Sequence, residues 1–439
     1  MTLRYVRSGA GGAATGVDWA NAYLTLAAAL TASAAGDTIY VSEDHAETQA
    51  TSMTLASPGT AAAPVRVICV NHSGSVPPVS ADIRTTATVT TTGTQFITFQ
   101  TTADSFTVYD GITFSAGTGS SATTLTLAGS NRMSVKFRNC ALRLGVTQNG
   151  GRISTPNNGS RVELDNTTVQ FAATGQAIQP GCEIVWRNTP SAITGATIPT
   201  TLFTPLATNG TDILIEGVDL SAITGTIIGN VTTATSVRAR LHDCKINASV
   251  TIAATQSNRG GGTVEYTRLD SGGTNYKHGR IRYEGSQTEE TTIVLSGGAS
   301  DGTTPIAWKT VTTANASEHF PFESLPIAIW NDTVGSPVTA TIQGIWGGGA
   351  VPNNDDIWLD VEYLGDASSP KASFANNGKA TILASNAALS AGSGTWGGST
   401  TKFQLAVTFT PQQKGYIFAR IKAAKASSTF YIDPKITLS

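Results

Sequence analysis

The sequence predicts an all-β protein, in which a parallel β-helix with an N-terminal helical cap is followed by a C-terminal β-sandwich of the jelly-roll kind. Three observations predict it: a strand-forming composition, a repeat of drifting period, and an amphipathic segment directly before the first strand. Charged residues make up 13% of the 439 residues, against roughly 25% in an average globular domain. Glycine contributes 45 residues. A chain this rich in glycine and threonine favours strands and tight turns over exposed helices.

The helical cap is predicted over residues 17–36. In "VDWANAYLTLAAALTASAAGD" the apolar residues recur at helical spacing, with Asp18 as the expected N-cap and Gly36 as the stop. A β-branched run begins at Thr38. The open end of a stack of coils exposes apolar side chains and unpaired strand edges, so this helix is expected to cover the first coil.

Seven copies of one pattern follow in residues 106–270. Each copy has a short alternating apolar strand, a turn residue and a second short strand, as in "SRVELDNTTVQF" from Ser160. The turn residues are Asp110, Asn139, Asn166, Asn188, Gly217, Asp243 and Arg268, at intervals of 22 to 29 residues. Asn and Asp suit a corner because they tolerate left-handed backbone. Such short units cannot bury their apolar faces alone, so the coils must stack into a parallel β-helix, predicted over residues 17–285.

The inward positions of the stacked coils are expected to form rows of apolar side chains. The predicted row is Val135, Val162, Ile184, Ile213, Val237 and Val264. The alternative is a β-sandwich with unusually regular turns. That fold would need two-residue hairpin turns, which are scarce in this sequence.

Composition changes after the last coil. Residues 286–305 are polar and rich in glycine and threonine, and are interpreted as a linker. Residues 306–439 contain five of the seven tryptophans and alternating runs such as "IWLDVEYL". They predict a jelly-roll-like β-sandwich of about eight strands with its own core. The tryptophans are interpreted as core residues, with a sugar-stacking platform as the alternative.

Charge and cysteine content exclude several classes of partner. The net charge is −2 and no run is rich in Lys or Arg, so no nucleic acid partner is expected. No window approaches the ~18 consecutive apolar residues of a membrane span, and the N-terminus lacks the apolar region of a secretory signal. No membrane partner, cofactor or metal is expected. The four cysteines have no CxxC spacing and are expected to be buried small side chains, as suits assembly in a reducing host cytoplasm; they are Cys69, Cys140, Cys182 and Cys244.

Two parts of the sequence resemble phage proteins. The cap followed by "GDTIYV" resembles the start of many right-handed parallel β-helix proteins of the pectate-lyase-like superfamily, which are common in bacteriophage virions. The stretches "HFPFESLPIAIWND", "DDIWLDVEYLGDASSP" and "FYIDPKITLS" resemble C-terminal β-domains of phage structural proteins. The resemblance implies a right-handed helix and a virion protein. It leaves function open, since the superfamily contains lyases, hydrolases, tailspikes and inert virion parts.

Candidate catalytic groups are few. His278-Gly279 and Arg280-Ile281-Arg282 are similar to the basic residues of β-helix polygalacturonases, but they are too close to flank one sugar and the accompanying aspartate motifs are absent. Glu289-Glu290 is interpreted as a solvated loop, and Asp355-Asp356 as a turn rather than a calcium site. No coil shows paired acids in register, so the sequence predicts no catalytic residue and no enzymatic activity.

Two functions remain. The favoured one is a non-enzymatic capsid decoration (cement or minor capsid) protein, attached as a homotrimer to the major capsid protein of a phage head. The alternative is a tailspike or tail-fibre protein that binds, or cleaves, host surface glycan. Decoration is favoured because residues 1–16 are interpreted as an extended arm that lies across a coat surface, with Arg4, Tyr5 and Arg7 as the candidate attachment residues. Closed symmetry and rows of Thr, Ser and Ala on the coils predict a homo-oligomer. The number three is what the phage resemblance implies, since icosahedral shells present three-fold and quasi-three-fold positions that a trimer matches, and the sequence alone does not fix it.

Overall fold

The chain forms two compact units in the computed structural model. One comprises residues 1–276 with 284–286, and the other comprises residues 277–283 with 287–439. The structure describes residues 2–101, 105–130, 132–206, 210–229, 236–254, 262–273, 276–284, 287–295, 306–311, 327–346, 353–354, 356–363, 381–386, 389–390, 402–411, 414–423, 429–432 and 436–439.

The first unit is a parallel β-solenoid built from three sheets. The first sheet contains Leu3–Val6, Thr38–Ser42, Val65–Val70, Phe106–Asp110, Ser134–Arg138, Arg161–Asp165, Glu183–Thr189, Thr211–Leu220, Val237–His242 and Gly262–Leu269. The second contains Ala46–Gln49, Ala87–Thr91, Ile112–Ala116, Ala141–Leu144, Thr168–Gln170 and Ile193–Thr194, and a further short strand, Lys245–Ile246, pairs with the end of Thr211–Leu220. The third contains Met53–Ser57, Ile97–Thr101, Thr124–Thr126, Arg152–Thr155, Ala177–Pro180, Thr201–Phe203, Thr226–Ile228 and Thr251–Ala253. The solenoid therefore has about eight turns.

Inward residues of the first sheet form continuous columns along the solenoid. One column is Val135, Val162, Ile184, Ile213, Ala239 and Val264, and each member is at most 1% exposed. The predicted row is confirmed at five positions and wrong at Val237, which pairs with Thr211. Val237 is also buried. It lies two residues before Ala239 in the same strand, so both residues face inward. The sequence prediction took the larger side chain of the two.

The corners between the first and second sheets have left-handed backbone. The φ angles are 52° at Asn139, 47° at Asn166, 51° at Asn188, 63° at Gly217, 51° at Asp243 and 56° at Arg268. These six predicted corners are confirmed. The seventh corner is Gly111, with φ 77°, rather than Asp110. Asp110 pairs with Arg138, the residue before the next corner, and glycine adopts positive φ without steric cost.

The N-terminal segment differs from the predicted arm and long helix. Leu3–Val6 is a strand that pairs in parallel with the strand beginning at Thr38. The helix spans Leu26–Ala32, and its N-cap is Thr25, whose side chain accepts a hydrogen bond from the Ala28 N–H. Tyr23 forms a parallel bridge with Val6, and residues 16–21 before it form bends and a turn. Residues 17–25 therefore lie outside the helix.

An inward carboxylate supports this helix. Glu47 shares a column of the second sheet with Val89 and Phe114, and its side chain is 2% exposed. Its Oε2 accepts a 2.8 Å hydrogen bond from the Leu26 N–H, and His45 Nε2 lies 3.4 Å from the same oxygen. Glu47 thus satisfies one of the unpaired N–H groups at the start of the helix.

The four cysteines are free and buried, as predicted. Burial raises the pKa of the Cys140 thiol to about 12. The same effect raises the pKa of Cys182 and of Cys244 to about 11. These thiols are therefore protonated, and they pack as small apolar groups.

The second unit is antiparallel, and residues 286–305, interpreted from the sequence as a linker, include one of its strands. One sheet contains Gln287–Leu295, Ile306–Val311, Val338–Trp346, Leu389–Ser390, Lys402–Phe409, Thr429–Ile432 and Thr437–Leu438. A second sheet contains Ile327–Asn331, Ile357–Tyr363, Thr381–Asn386 and Gly415–Ala423. The unit also includes the strand Lys277–Glu284. Both sheets contribute to one hydrophobic cluster, which includes Ile342 and Phe403 from the first sheet and Leu359 from the second.

Within the described part of the chain, no helix has the length and apolar character needed to cross a membrane.

Candidate functional site

The outer face of the first sheet carries charged side chains stacked from coil to coil. Because strand residues alternate between faces, the residue directly before each corner points outward. We call these residues the corner row; they are Asp110, Arg138, Asp165, Arg187, Glu216 and His242. The sign of the charge alternates from Asp110 to Glu216, so each charge has an opposite charge as its neighbour in the next coil.

The acidic and basic groups of the corner row make direct contacts. Arg138 donates hydrogen bonds to Asp110 Oδ2, one of them at 2.9 Å from Nε. The Asp110 side chain is 1% exposed, and its other oxygen accepts a 2.9 Å bond from Asn139 Nδ2. Arg187 Nε lies 3.1 Å from Glu216 Oε2. A ladder of ion pairs and corner amides therefore holds these side chains in place.

Lys136 connects two carboxylates on this face. Its Nζ lies 2.9 Å from Glu163 Oε1 and 2.9 Å from Asp165 Oδ2. Partial burial acts to lower the pKa of Lys136, but its hydrogen bonds to the two carboxylates outweigh this and raise the pKa. Burial likewise acts to raise the pKa of Asp165, but hydrogen bonds from Lys136 and Asn188 lower it.

This arrangement disfavours acid catalysis at Asp165 and leaves its carboxylate as a hydrogen-bond acceptor. A general acid must be protonated near the working pH, whereas the pKa of Asp165 is lowered from 3.8. An ionised carboxylate keeps several acceptor sites, and a guanidinium has five N–H donors, so ion pairing uses only part of their capacity. The remaining sites can contact hydroxyl groups of a ligand.

A small cavity adjoins the charged residues. It has a volume of about 200 Å³ and is lined by Ala61, Phe106, Ser134, Val135, Arg161 and Glu163. Phe106, Ser134 and Arg161 are register partners on three successive strands. We call it the Phe106 pocket. It combines an aromatic and aliphatic lining with two charged side chains at its edge.

The charged face corrects the expectation that no coil has paired acids in register. Glu163 and Asp165 are two residues apart on one strand, so both point outward, and Lys136 contacts both. The signal was present in the sequence. Once the corner residues are aligned, the residue directly before the corner is charged in most coils. The position three residues before the corner is Lys136 in one coil and Glu163 in the next.

The predicted attachment residues lie within the first coil. Arg4 Nε is 3.5 Å from Asp37 Oδ2, and Tyr5 is 4% exposed. Arg7 donates 2.7 and 3.1 Å hydrogen bonds to Asp44 and, as the main cause, lowers the pKa of Asp44 to about 2. Attachment to a particle through Arg4, Tyr5 and Arg7 stays a prediction.

The residues that were weighed as catalytic or metal-binding lie in the second unit. His278 and Arg280 are on one strand, Lys277–Glu284, and Glu289-Glu290 lies in Gln287–Leu295. Asp355 is outside the described residues, whereas Asp356 accepts a 2.7 Å bond from the Asn353 N–H in a turn. Among the side chains described, no group of three or more His, Cys, Asp or Glu could hold a metal ion.

Trp330, which was interpreted from the sequence as a core residue, is 52% exposed. Trp308, Trp346 and Trp396 are among the positions whose side chains are not described. The exposure of Trp330 is compatible with the alternative of a surface contact for a ligand.

Comparison with solved structures finds a similar phage structure. No protein-family model matches the chain, and no curated protein matches it significantly. The solved structure of the enzymatically active domain of tailspike protein 4 from bacteriophage CBA120 is similar over 96% of this chain and 67% of that structure, with 10% sequence identity and a TM-score of 0.18. A likeness at this TM-score assigns no role to any residue.

The comparison contradicts the prediction that the chain is not an enzyme. The similar structure is described as an enzymatically active tailspike domain, so the expectation of no activity is withdrawn. No comparison supports the favoured capsid decoration role.

Proposed function

We propose that this chain is a bacteriophage tail protein, a tailspike or tail fibre, whose solenoid recognises glycan on the host surface through the corner row and its neighbours. The observation that supports it is the stack of charged groups of alternating sign at the strand spacing of about 4.8 Å, in which Arg138 pairs with Asp110 and Arg187 pairs with Glu216. The sequence resemblance to phage β-helix proteins supports a location in the virion.

The charged face suits a polyhydroxylated polymer. Its carboxylates can accept hydrogen bonds from hydroxyl groups, and its guanidinium groups can donate to ring and hydroxyl oxygens. The ladder already fixes the side chains, so less conformational entropy is lost on binding. Acidic and basic groups offset one another along the row, which favours a ligand of low net charge over nucleic acid.

The same proposal covers the second unit and the assembly. We propose that the second unit is a jelly-roll-like β-sandwich, since two antiparallel sheets share one hydrophobic cluster. The proposed tail protein is a homotrimer: closed rotational symmetry is common among homo-oligomers, the outward residues Thr54, Thr98 and Thr126 of the third sheet are small and uncharged, and the number three is taken from the resemblance to phage proteins. Its short cap helix closes the first coil.

A binding experiment with matched variants tests the proposal. The full chain is incubated with purified capsular and O-antigen polysaccharides, and binding and reducing-end release are both measured. Arg187→Glu should reverse one charge of the corner row and weaken binding at least tenfold. Arg143→Glu makes the same change at an exposed position of the second sheet and should bind as the unmodified chain does.

The location in the particle supplies the second test. An averaged image of the intact virion should show this chain on the tail. A head location, together with no binding to any glycan of the panel, would contradict the proposal and return the capsid decoration role. Reducing-end release by the unmodified chain would identify a tailspike that cleaves its receptor.

A further inference from the structure

We propose that the Phe106 pocket is a subsite for one neutral sugar unit that carries a methyl group, as a 6-deoxyhexose or an N-acetylated hexosamine does. The inference rests on the proposed glycan-binding function. It specifies which sugar chemistry the charged face selects, and it follows from the size, lining and charge of the pocket.

One wall of the pocket is held in place before a ligand arrives. Ala61 contributes this wall from the segment that follows Ser57. Before that segment, the Thr107 hydroxyl donates a 2.7 Å hydrogen bond to the buried Ser57 hydroxyl. Gly59 lies so close to the Phe106 carbonyl that a Cβ at this position would overlap it. The wall therefore needs little ordering when a ligand binds, which favours affinity.

The size of the pocket suits a single unit. Its volume of about 200 Å³ is below the ~300–1,000 Å³ of sites for drug-sized ligands. One sugar ring, or one substituent of a longer glycan, is the largest group that this volume accepts. The rest of the glycan would lie over the corner row.

The lining favours a methyl group. The side chains of Ala61 and Phe106 supply carbon atoms and no hydrogen-bonding group. A hydroxyl directed at this part of the pocket would lose its hydrogen bonds to water without replacement, whereas a methyl group gains from leaving water. An aromatic ring such as Phe106 also packs well against the C–H face of a sugar.

The charges at the edge favour a neutral sugar. Arg161 Nη1 lies 2.7 Å from Glu183 Oε1, and Glu163 contacts Lys136. Both charged residues that line the pocket are thus already neutralised by a partner. A carboxylate on the ligand would be repelled by Glu163 and Glu183 and would compete with them for Arg161 and Lys136. Hydroxyl and amide groups of a neutral sugar can instead use the donor and acceptor sites that the ion pairs leave unoccupied.

The test compares sugars on the full chain by saturation-transfer NMR and calorimetry. Free fucose, rhamnose and N-acetylglucosamine are the methyl-bearing probes, and galactose and glucuronic acid are the comparison sugars. We expect the strongest saturation on methyl protons, and at least tenfold weaker binding of the two comparison sugars. Separate signals for the 6-deoxy methyl and the N-acetyl methyl identify which of the two the pocket takes.

Two variants assign the signal to the pocket. Phe106→Ala removes the aromatic side, and Ala61→Phe fills the pocket from an exposed position without removing a buried contact. Each should weaken binding at least tenfold. Phe96→Ala is the control, because Phe96 is an aromatic side chain 44% exposed outside the pocket lining. Melting curves show whether each variant is folded. If Phe106→Ala is unfolded, the binding result for Ala61→Phe decides whether the pocket is the binding site.

The possible failures are distinguishable. If polysaccharide binding is sensitive to Arg187→Glu but both pocket variants bind as the unmodified chain does, the subsite is wrong and the proposed function stands. Preference for glucuronic acid would also overturn the subsite. If no glycan binds in either experiment, the proposed function fails, and the subsite fails with it.

Discussion

At the scale of single residues, Lys136 shows how the stability contributed by the charged face depends on pH. The pKa of Asp165 is lowered from 3.8 because its contacts with Lys136 and Asn188 outweigh its partial burial. A carboxylate with a lowered folded-state pKa adds stability above its unfolded pKa, and that stability is lost as the pH falls through the folded pKa. The contribution of Lys136 should therefore be large at neutral pH and small in acid.

We expect Lys136→Met to be less stable than the unmodified chain by about 1–2 kcal/mol at pH 7. The difference should narrow as the pH falls below 3.8, because Asp165, whose pKa is lowered from that value in the folded chain, becomes protonated. Urea unfolding of both proteins at pH 7 and at pH 3 measures it. Lys245→Met is the control, since Lys245 is 56% exposed and 3.4 Å from Asp219. An equal difference at both pH values would show that the carboxylates are not the cause.

The second prediction at the scale of single residues concerns a substitution at an inward position. Val162 is fully buried in its column, so Val162→Asp would place an unpaired charge among apolar side chains and should cost on the order of 3–5 kcal/mol. Thr168→Asp introduces the same group at an outward, half-buried position and should change stability little. Thermal melting of the two variants compares them. Equal melting temperatures would mean that Val162 does not face the interior.

Much of this residue-level geometry could be predicted from the sequence. Six corner residues were identified correctly, and they set the register of their coils. The inward column lies at a constant distance before each corner. The predicted row departed from it only where Val237 and Ala239 both face inward. The charged face follows from the same alignment. Its ion pairs could not be predicted, because side-chain contacts between coils depend on which rotamers fit together.

Each corner is the smallest element that the fold repeats. Asn139 has φ 52°; its Nδ2 donates to Asp110, and its Oδ1 accepts a 2.8 Å bond from Asn166 Nδ2. It therefore contributes both a tolerated backbone conformation and two ladder bonds. Substitution by Gly removes the bonds and keeps the conformation, whereas substitution by Ala removes both.

We expect Asn139→Ala to be less stable than Asn139→Gly by about 1 kcal/mol, and both to be less stable than the unmodified chain. Denaturant unfolding of the three proteins under one condition measures the differences. If Ala and Gly are equally destabilising, the left-handed backbone does not limit the choice of residue at this corner. If neither variant is destabilised, the amide ladder contributes nothing measurable.

At the N-terminal end, element prediction was less complete. A helix before Thr38 was expected and is present, but it begins at Leu26 because Tyr23 pairs with Val6. Periodicity alone does not reveal such a bridge between residues distant in sequence. The support from Glu47 was missed for the same reason, since its register with Val89 and Phe114 appears only when the coils are stacked.

At the scale of the whole molecule, the faces of the solenoid differ in charge. The first sheet carries the corner row. In the strands of the third sheet, the outward residues Thr54, Thr98, Thr126 and Ser154 pair in register. Nearby Arg152 donates to backbone carbonyls of its own and the next coil. A face of small uncharged side chains can pack against another protein with little cost for removing charges from water.

The last prediction is that three copies pack through this third-sheet face and leave the charged faces open to glycan. Light scattering of the purified chain should give a mass three times 45.3 kDa. Thr126→Arg would place a charge in the packed row and should shift the mass to that of a monomer. Thr90→Arg makes the same change on the second sheet and should leave the trimer intact. A monomeric mass for the unmodified chain would contradict the trimer, whereas a trimer lost only in Thr90→Arg would place the contact on the second sheet.

Because polysaccharide offers the same unit many times, three charged faces held in one assembly would bind it with higher avidity than one. The monomeric variant should therefore keep its affinity for a single oligosaccharide and lose affinity for the polymer.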